Sequence, residues 1–134
     1  MCERDYLMNL LAQFAQAIGR AIHKAQHERN PIEAGQMLDE AITAATDIDG
    51  SIMLTLAPES ISMIMNASGV DPYVVEYIAR SMDLAGNYYT EGGSAELGTL
   101  RKQQAQAVAS AYGIDLSTAF ELPAEADLDD ILPA

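Results

Sequence analysis

The chain has no tryptophan, a single cysteine, two phenylalanines and seven basic residues among its 134. Each scarcity removes a class of explanation. Cys2 has no second thiol to pair with, so no internal disulfide holds the fold. Seven Lys and Arg against twenty Asp and Glu give a formal net charge of −13, which repels phosphate backbones and anionic lipid. Nucleic acid and membrane surfaces are therefore excluded as expected partners. There is no charged-then-apolar leader and no run of about 18 apolar residues. A soluble cytoplasmic protein is the expectation.

What is present is helical in character. Ala, Leu, Ile and Met supply most of an apolar fraction of 49%, a composition that favours helices over a β-sandwich. The length suits one hydrophobic core. A single domain over residues 1–113 is expected, followed by an acidic tail over 114–134. From Asn30 to Ala79 there are acids but no Lys or Arg, and no base follows Lys102. The tail mixes Leu116, Phe120, Leu122, Leu128, Ile131 and Leu132 with its acids. It is either disordered or docked on an exposed groove.

Apolar residues at Tyr6, Leu7, Leu10, Leu11, Phe14, Ile18, Ala21, Ile22 and Ala25 recur at three- and four-residue steps. They predict a long first helix from about Asp5 to Gln26. Asn30-Pro31-Ile32-Glu33 is a start signal, with Asn30 as cap, Pro31 at the first position and Glu33 reaching back. Ala34, Met37, Leu38, Ala41 and Ile42 form the inner face of that second helix. Ile52 to Leu56 is an apolar run with no strand to pair with, and reads as a helical turn or packed loop. A short helix is expected from Pro58 to near Ser68. A longer one, capped by Asp71 and begun by Pro72, runs to about Glu91. Its apolar positions cover more than one stripe, which places it in the middle of a stack. After Gly92-Gly93, Ser94 can cap a last helix extended by Leu97, Leu100, Val108, Ala111 and Tyr112 and ending at Gly113.

Between residues 79 and 110, Met82, Ala85, Gly86, Tyr89, Gly93, Gly98 and Ala105 fall at spacings that resemble a tetratricopeptide unit, a pair of antiparallel helices in close approach. Lys102 and Ser110 depart from that pattern. A fainter echo pairs Ile18, Ala21, Ile22 and Ala25 with Ala34, Leu38, Ala41 and Ile42. With the opening Asp5-Tyr6-Leu7-Met8, the order of elements resembles a family of small bacterial tetratricopeptide-like, all-helical proteins, from which no activity carries over. The resemblance implies an all-α fold of two hairpins and a face that a third helix, the tail or a second copy must cover. It also implies a concave surface lined by Gln16, Arg20, His23 and His27 of the first hairpin and Arg80, Asp83, Asn87 and Thr90 of the second. Arg80 and Asn87 would hold a ligand carboxylate there.

Reaction chemistry is thin. His23 and His27, four apart, share a helix face as two metal ligands would, but no third ligand or HExxH glutamate accompanies them. Gly92-Gly93-Ser94 lacks the lysine and strand of a phosphate loop, and Asp47-Ile48-Asp49-Gly50-Ser51 lacks the later ligands of a calcium loop. No motif implies a cofactor. Met53, Met63 and Met65 either line an adaptable groove or fill the core, and Tyr73 and Tyr77 either stack on a helix or anchor an interface. The expected function is a non-catalytic module that binds a protein or peptide partner, either as a single copy or as a homodimer. A small-ligand or metal-binding regulator is the alternative, and an enzyme with Glu76 or Asp83 in a cleft is a third.

Overall fold

The computed structural model describes residues 3–46 and 50–118. The described residues form helices and no strand: α1 (Glu3–Gln26), α2 (Pro31–Ala44), a single turn α3 (Gly50–Met53), α4 (Pro58–Ala67), α5 (Pro72–Glu91) and α6 (Ala95–Tyr112). Cys2, Asp47, Ile48 and Asp49 of the calcium-loop-like stretch, and residues 119–134 of the tail lie outside them. None of these helices is long and apolar enough to cross a membrane.

Local signals place the helix starts. Asn30 Oδ1 accepts the Glu33 N–H (3.2 Å), and Asp71 Oδ1 accepts the Tyr73 N–H (2.9 Å), so each cap satisfies a backbone donor the helix leaves free. The Glu33 carboxylate turns back to the Asn30 side-chain amide (2.9 Å). Ser94 occupies the cap position of α6, but its side chain makes no capping bond. The α5–α6 turn closes through Gly93, at φ +95, with the Ser94 N–H donating to the Tyr89 carbonyl (2.8 Å).

The helices stack in the order α1, α2, α5, α6, α4, with α5 also touching α1. Two antiparallel hairpins, α1–α2 and α5–α6, thus lie side by side. The expected central position of α5 is borne out, and α4 covers the outer side of α6. Leu7, Leu11, Phe14, Ile18 and Ala21 of α1 join Leu38 and Ile42 of α2 and Val74, Ile78, Met82 and Ala85 of α5 in one core cluster. Met53 and Met65 are buried there as filler, whereas Met63 is exposed. Tyr6, expected inward, is 61% exposed, because Leu7 and Leu11 carry the buried stripe. Tyr77 packs edge-on against Phe14 (5.8 Å between centroids), while Tyr73 remains exposed.

Glycine decides how close α5 and α6 come. A Cβ on Gly98 would sit 2.8 Å from the Gly86 carbonyl oxygen, and one on Gly86 would sit 2.9 Å from the Gly98 oxygen. Backbone lies on both sides, so neither neighbour can give way. The stem of Lys102 lies over Gly86, which explains why a lysine is tolerated where a bulky apolar residue was expected. Across the other face of α5, the Tyr89 ring lies over Gly35 of α2, where an added Cβ would meet ring carbons at 2.9 Å.

One turn beyond Gly35, Asp39 accepts the Tyr89 hydroxyl (2.6 Å) and a two-pronged pair from Arg101 of α6 (Nε to Oδ1 3.0 Å, second nitrogen to Oδ2 3.1 Å). The other Arg101 amino group reaches the Leu54 carbonyl (2.7 Å) and Gln104 Oε1 (3.0 Å). Gln104 in turn donates to the carbonyls of Leu54 and Leu56 (3.0 and 2.9 Å). The inner line of α6 is therefore Gly98, Arg101, Gln104, Ala105 and Val108. Leu97 and Leu100 are only half-buried, and Ala111 is exposed.

Removing Arg101 would leave the Asp39 charge and the linker carbonyls without their donor. Arg101→Ala is expected to lower the unfolding free energy by about 3–5 kcal/mol in urea titrations followed by circular dichroism.

Candidate functional site

The inward stripe of α1 also settles which of its residues meet α5. Ile22 and Gln26, not Arg20 and His27, line a groove with Arg80, Asp83, Leu84, Asn87 and Tyr88 of α5. The α1 residues lining this groove are offset by one position from the expected row of His23 and His27, which on a helix is a rotation of about 100°. Arg20 faces instead the groove between α1 and α2. His23 and His27 stack on each other in solvent, with ring centroids 4.6 Å apart. Among the described residues no group of three or more His, Cys, Asp or Glu could hold a metal ion. Thr90 packs on Gly98 of α6 and lines no part of this groove.

The α1–α5 groove encloses about 240 Å³. That volume suits one or two side chains and is below the usual range for a bound cofactor or drug-sized molecule. Ile22, Leu84, Tyr88 and Leu116 give it an apolar floor, and the amides of Gln26 and Asn87 stand on opposite walls. Its charged groups are engaged. Lys102 Nζ pairs with Asp83 (2.8 Å) and donates to Asn87 Oδ1 (3.0 Å). Arg80 pairs with Glu76 (3.1 Å), which accounts for both acids expected at a possible cleft.

The remaining guanidinium edge of Arg80 holds the chain's own segment beyond α6. It donates to the main-chain carbonyls of Thr118 (3.1 Å) and Asp115 (3.2 Å) and to the Thr118 hydroxyl (2.7 Å). The Schellman closure at Gly113, at φ +69 with the Ile114 N–H on the Ala109 carbonyl (2.9 Å), turns the chain toward α5. Asp115 then folds a local turn by accepting the Ser117 N–H (2.9 Å) and hydroxyl (2.6 Å), and these bonds hold its carboxyl below the usual carboxylate range. Of the two readings of the tail, residues 114–118 are docked, with Leu116 against the core. Arg80, predicted to hold a ligand carboxylate, holds carbonyls of its own chain.

Burial shapes the tyrosines around this site. Desolvation, reinforced by Glu76, pushes the Tyr77 hydroxyl up to about 12. Desolvation and then Glu91 raise Tyr88, and desolvation followed by the Asp39 hydrogen bond raises Tyr89. Leu116 was among the tail side chains expected on a groove if the tail docks, but nothing in the sequence singled out Tyr88 as a groove residue. The i, i+4 spacing of Leu84 and Tyr88 was the available signal.

No protein-family model matches the chain, and comparison with curated proteins and with solved structures finds no match.

In Arg80→Ala, the amides of residues 114–118 are expected to exchange with deuterium at least tenfold faster, while those of the α2 and α5 cores change little. Alkaline stability follows from the tyrosines. Their folded pKa lies above the unfolded value near 10, so their contribution is complete below pH 10 and is lost as pH rises toward about 12. The urea midpoint should fall over that window, and less steeply in Tyr77→Phe.

Proposed function

We propose that this protein is a non-catalytic interaction module, in which two tetratricopeptide-like hairpins present the α1–α5 groove to a peptide or helical segment of a partner. The observation that carries the reading is the way the groove treats residues 114–118. Arg80 binds main-chain carbonyls while Leu116 enters the apolar floor, which is the chemistry needed to hold an extended or turned peptide whatever its sequence. The amides of Gln26 and Asn87 add donors and acceptors along the same groove. A non-catalytic role is supported by the engagement of Arg80 and Asp83 in ion pairs. The acidic composition and lone cysteine fit a cytoplasmic setting.

A photo-cross-linking residue placed at position 87, whose side chain is exposed, tests this in native lysate. A discrete cross-linked partner is expected, reduced at least tenfold by Leu84→Arg, which blocks the floor, and by Arg80→Ala. The same adducts at the same yield in both variants would refute the groove as the binding surface.

A further inference from the structure

The second hairpin is covered on its outer side by α4, whereas α1 of the first has its main helix contacts with α2 and α5 alone. There, two cavities of about 330 and 230 Å³ share Leu10, Ala44 and Ala45, so they join in one trough that starts between α1 and α2 and ends against Ser68, Val70 and Val74 of the α4–α5 connection and α5. Phe14, Ala17 and Met37 continue its apolar floor, and the exposed Tyr6 stands at its far end.

In the part of this trough between α1 and α2 stand two exposed charges of opposite sign, Arg20 from α1 and Glu40 from α2, while Asp71 at the far end is taken up in capping α5. Among the described residues neither side chain has a hydrogen-bond or ion-pair partner. Among the described bases Lys24, Arg80, Arg101 and Lys102 are each paired with an acid, so Arg20 shares its unpaired state only with Arg29 at the end of the α1–α2 turn.

We propose that a second copy of the chain closes this trough, hairpin against hairpin about a twofold axis, with Arg20 of each copy against the partner's Glu40. In a twofold interface residue i meets residue j and j meets i, so one patch carrying both signs is self-complementary. A basic helix seated there would face Arg20 with like charge, and an acidic segment, including this chain's own residues 119–134, would face Glu40 with like charge. A second copy satisfies both. The small side chains of Ala17, Ala44 and Ala45 allow the helices to approach closely. The fourteen residues of α2 make the face about 21 Å long and two helix diameters make it about 20 Å wide, about half the roughly 800 Å² per partner of a stable complex, which suits a weak, concentration-dependent dimer. The net charge of each copy opposes association only at short range, because physiological salt screens it beyond about 8 Å.

Sedimentation equilibrium of the full chain at physiological salt decides the matter. A concentration-dependent dimer is expected. Arg20→Glu and Glu40→Arg should each weaken it about tenfold, since each turns two symmetric attractions into repulsions. The double charge swap should recover most of that loss, and Ala44→Arg should be monomeric. All three positions are exposed, so circular dichroism melts of the monomers should match the wild type. A wild type that stays monomeric at every concentration, or a dimer in which the double swap is no better than either single variant, would overturn the proposal. Leu84→Arg lies on the other groove and should leave the mass unchanged, so this proposal and the peptide-binding one fail separately.

Discussion

The guanidinium of Arg101 is the point on which the rest of the molecule depends. It is 5% exposed and bonds to acceptors on α2, on the linker between α3 and α4, and on its own helix. A planar cation with donors on several edges can serve all three at once, where the point charge of a lysine could not. The partners are 62 and 47 residues distant in sequence, so one side chain draws the first hairpin and the α4 cover onto the second. The linker carbonyls of Leu54 and Leu56, which lie outside any long helix, are satisfied here and by Gln104. Tyr89 completes the arrangement, with its ring over Gly35 and its hydroxyl on the same carboxylate.

Much of this fold was legible in the residues. Asn30-Pro31 and Asp71-Pro72 mark the starts of α2 and α5, and the two-sided apolar pattern of α5 correctly foretold its central place. Gly86 and Gly98 correctly reported a close helix approach. The tie that braces the hairpins was not legible. Arg101 lies between Leu100 and Lys102, and a charged residue in a helix reads as a solvated face unless its distant partner is known. Asp39 likewise read as one acid among many. Ser94 stood where a cap belongs, yet the turn through Gly93 satisfies the chain without its hydroxyl.

The groove shows the same division. Arg80, Asp83 and Asn87 were expected together and do line one surface, but the α1 side of it was misjudged by a single residue. Periodicity specifies a stripe well and its edges poorly, since residues at the margin, such as Tyr6 and Ile22, fit either face. Only the packing of Phe14 on Tyr77 and of Leu7 and Leu11 in the core sets the rotation of α1. The intramolecular clamp at Arg80 could not be anticipated either, because it acts on main-chain carbonyls, which carry no sequence signature.

That clamp also fixes the position of the chain at Thr118, on the rim of the α1–α5 groove. A module joined directly after Thr118 would begin at that rim and meet the groove at high local concentration, whereas one joined just ahead of α1 would begin near Tyr6 and the other trough. The junction chosen for a fusion selects which of the two faces the added module meets first.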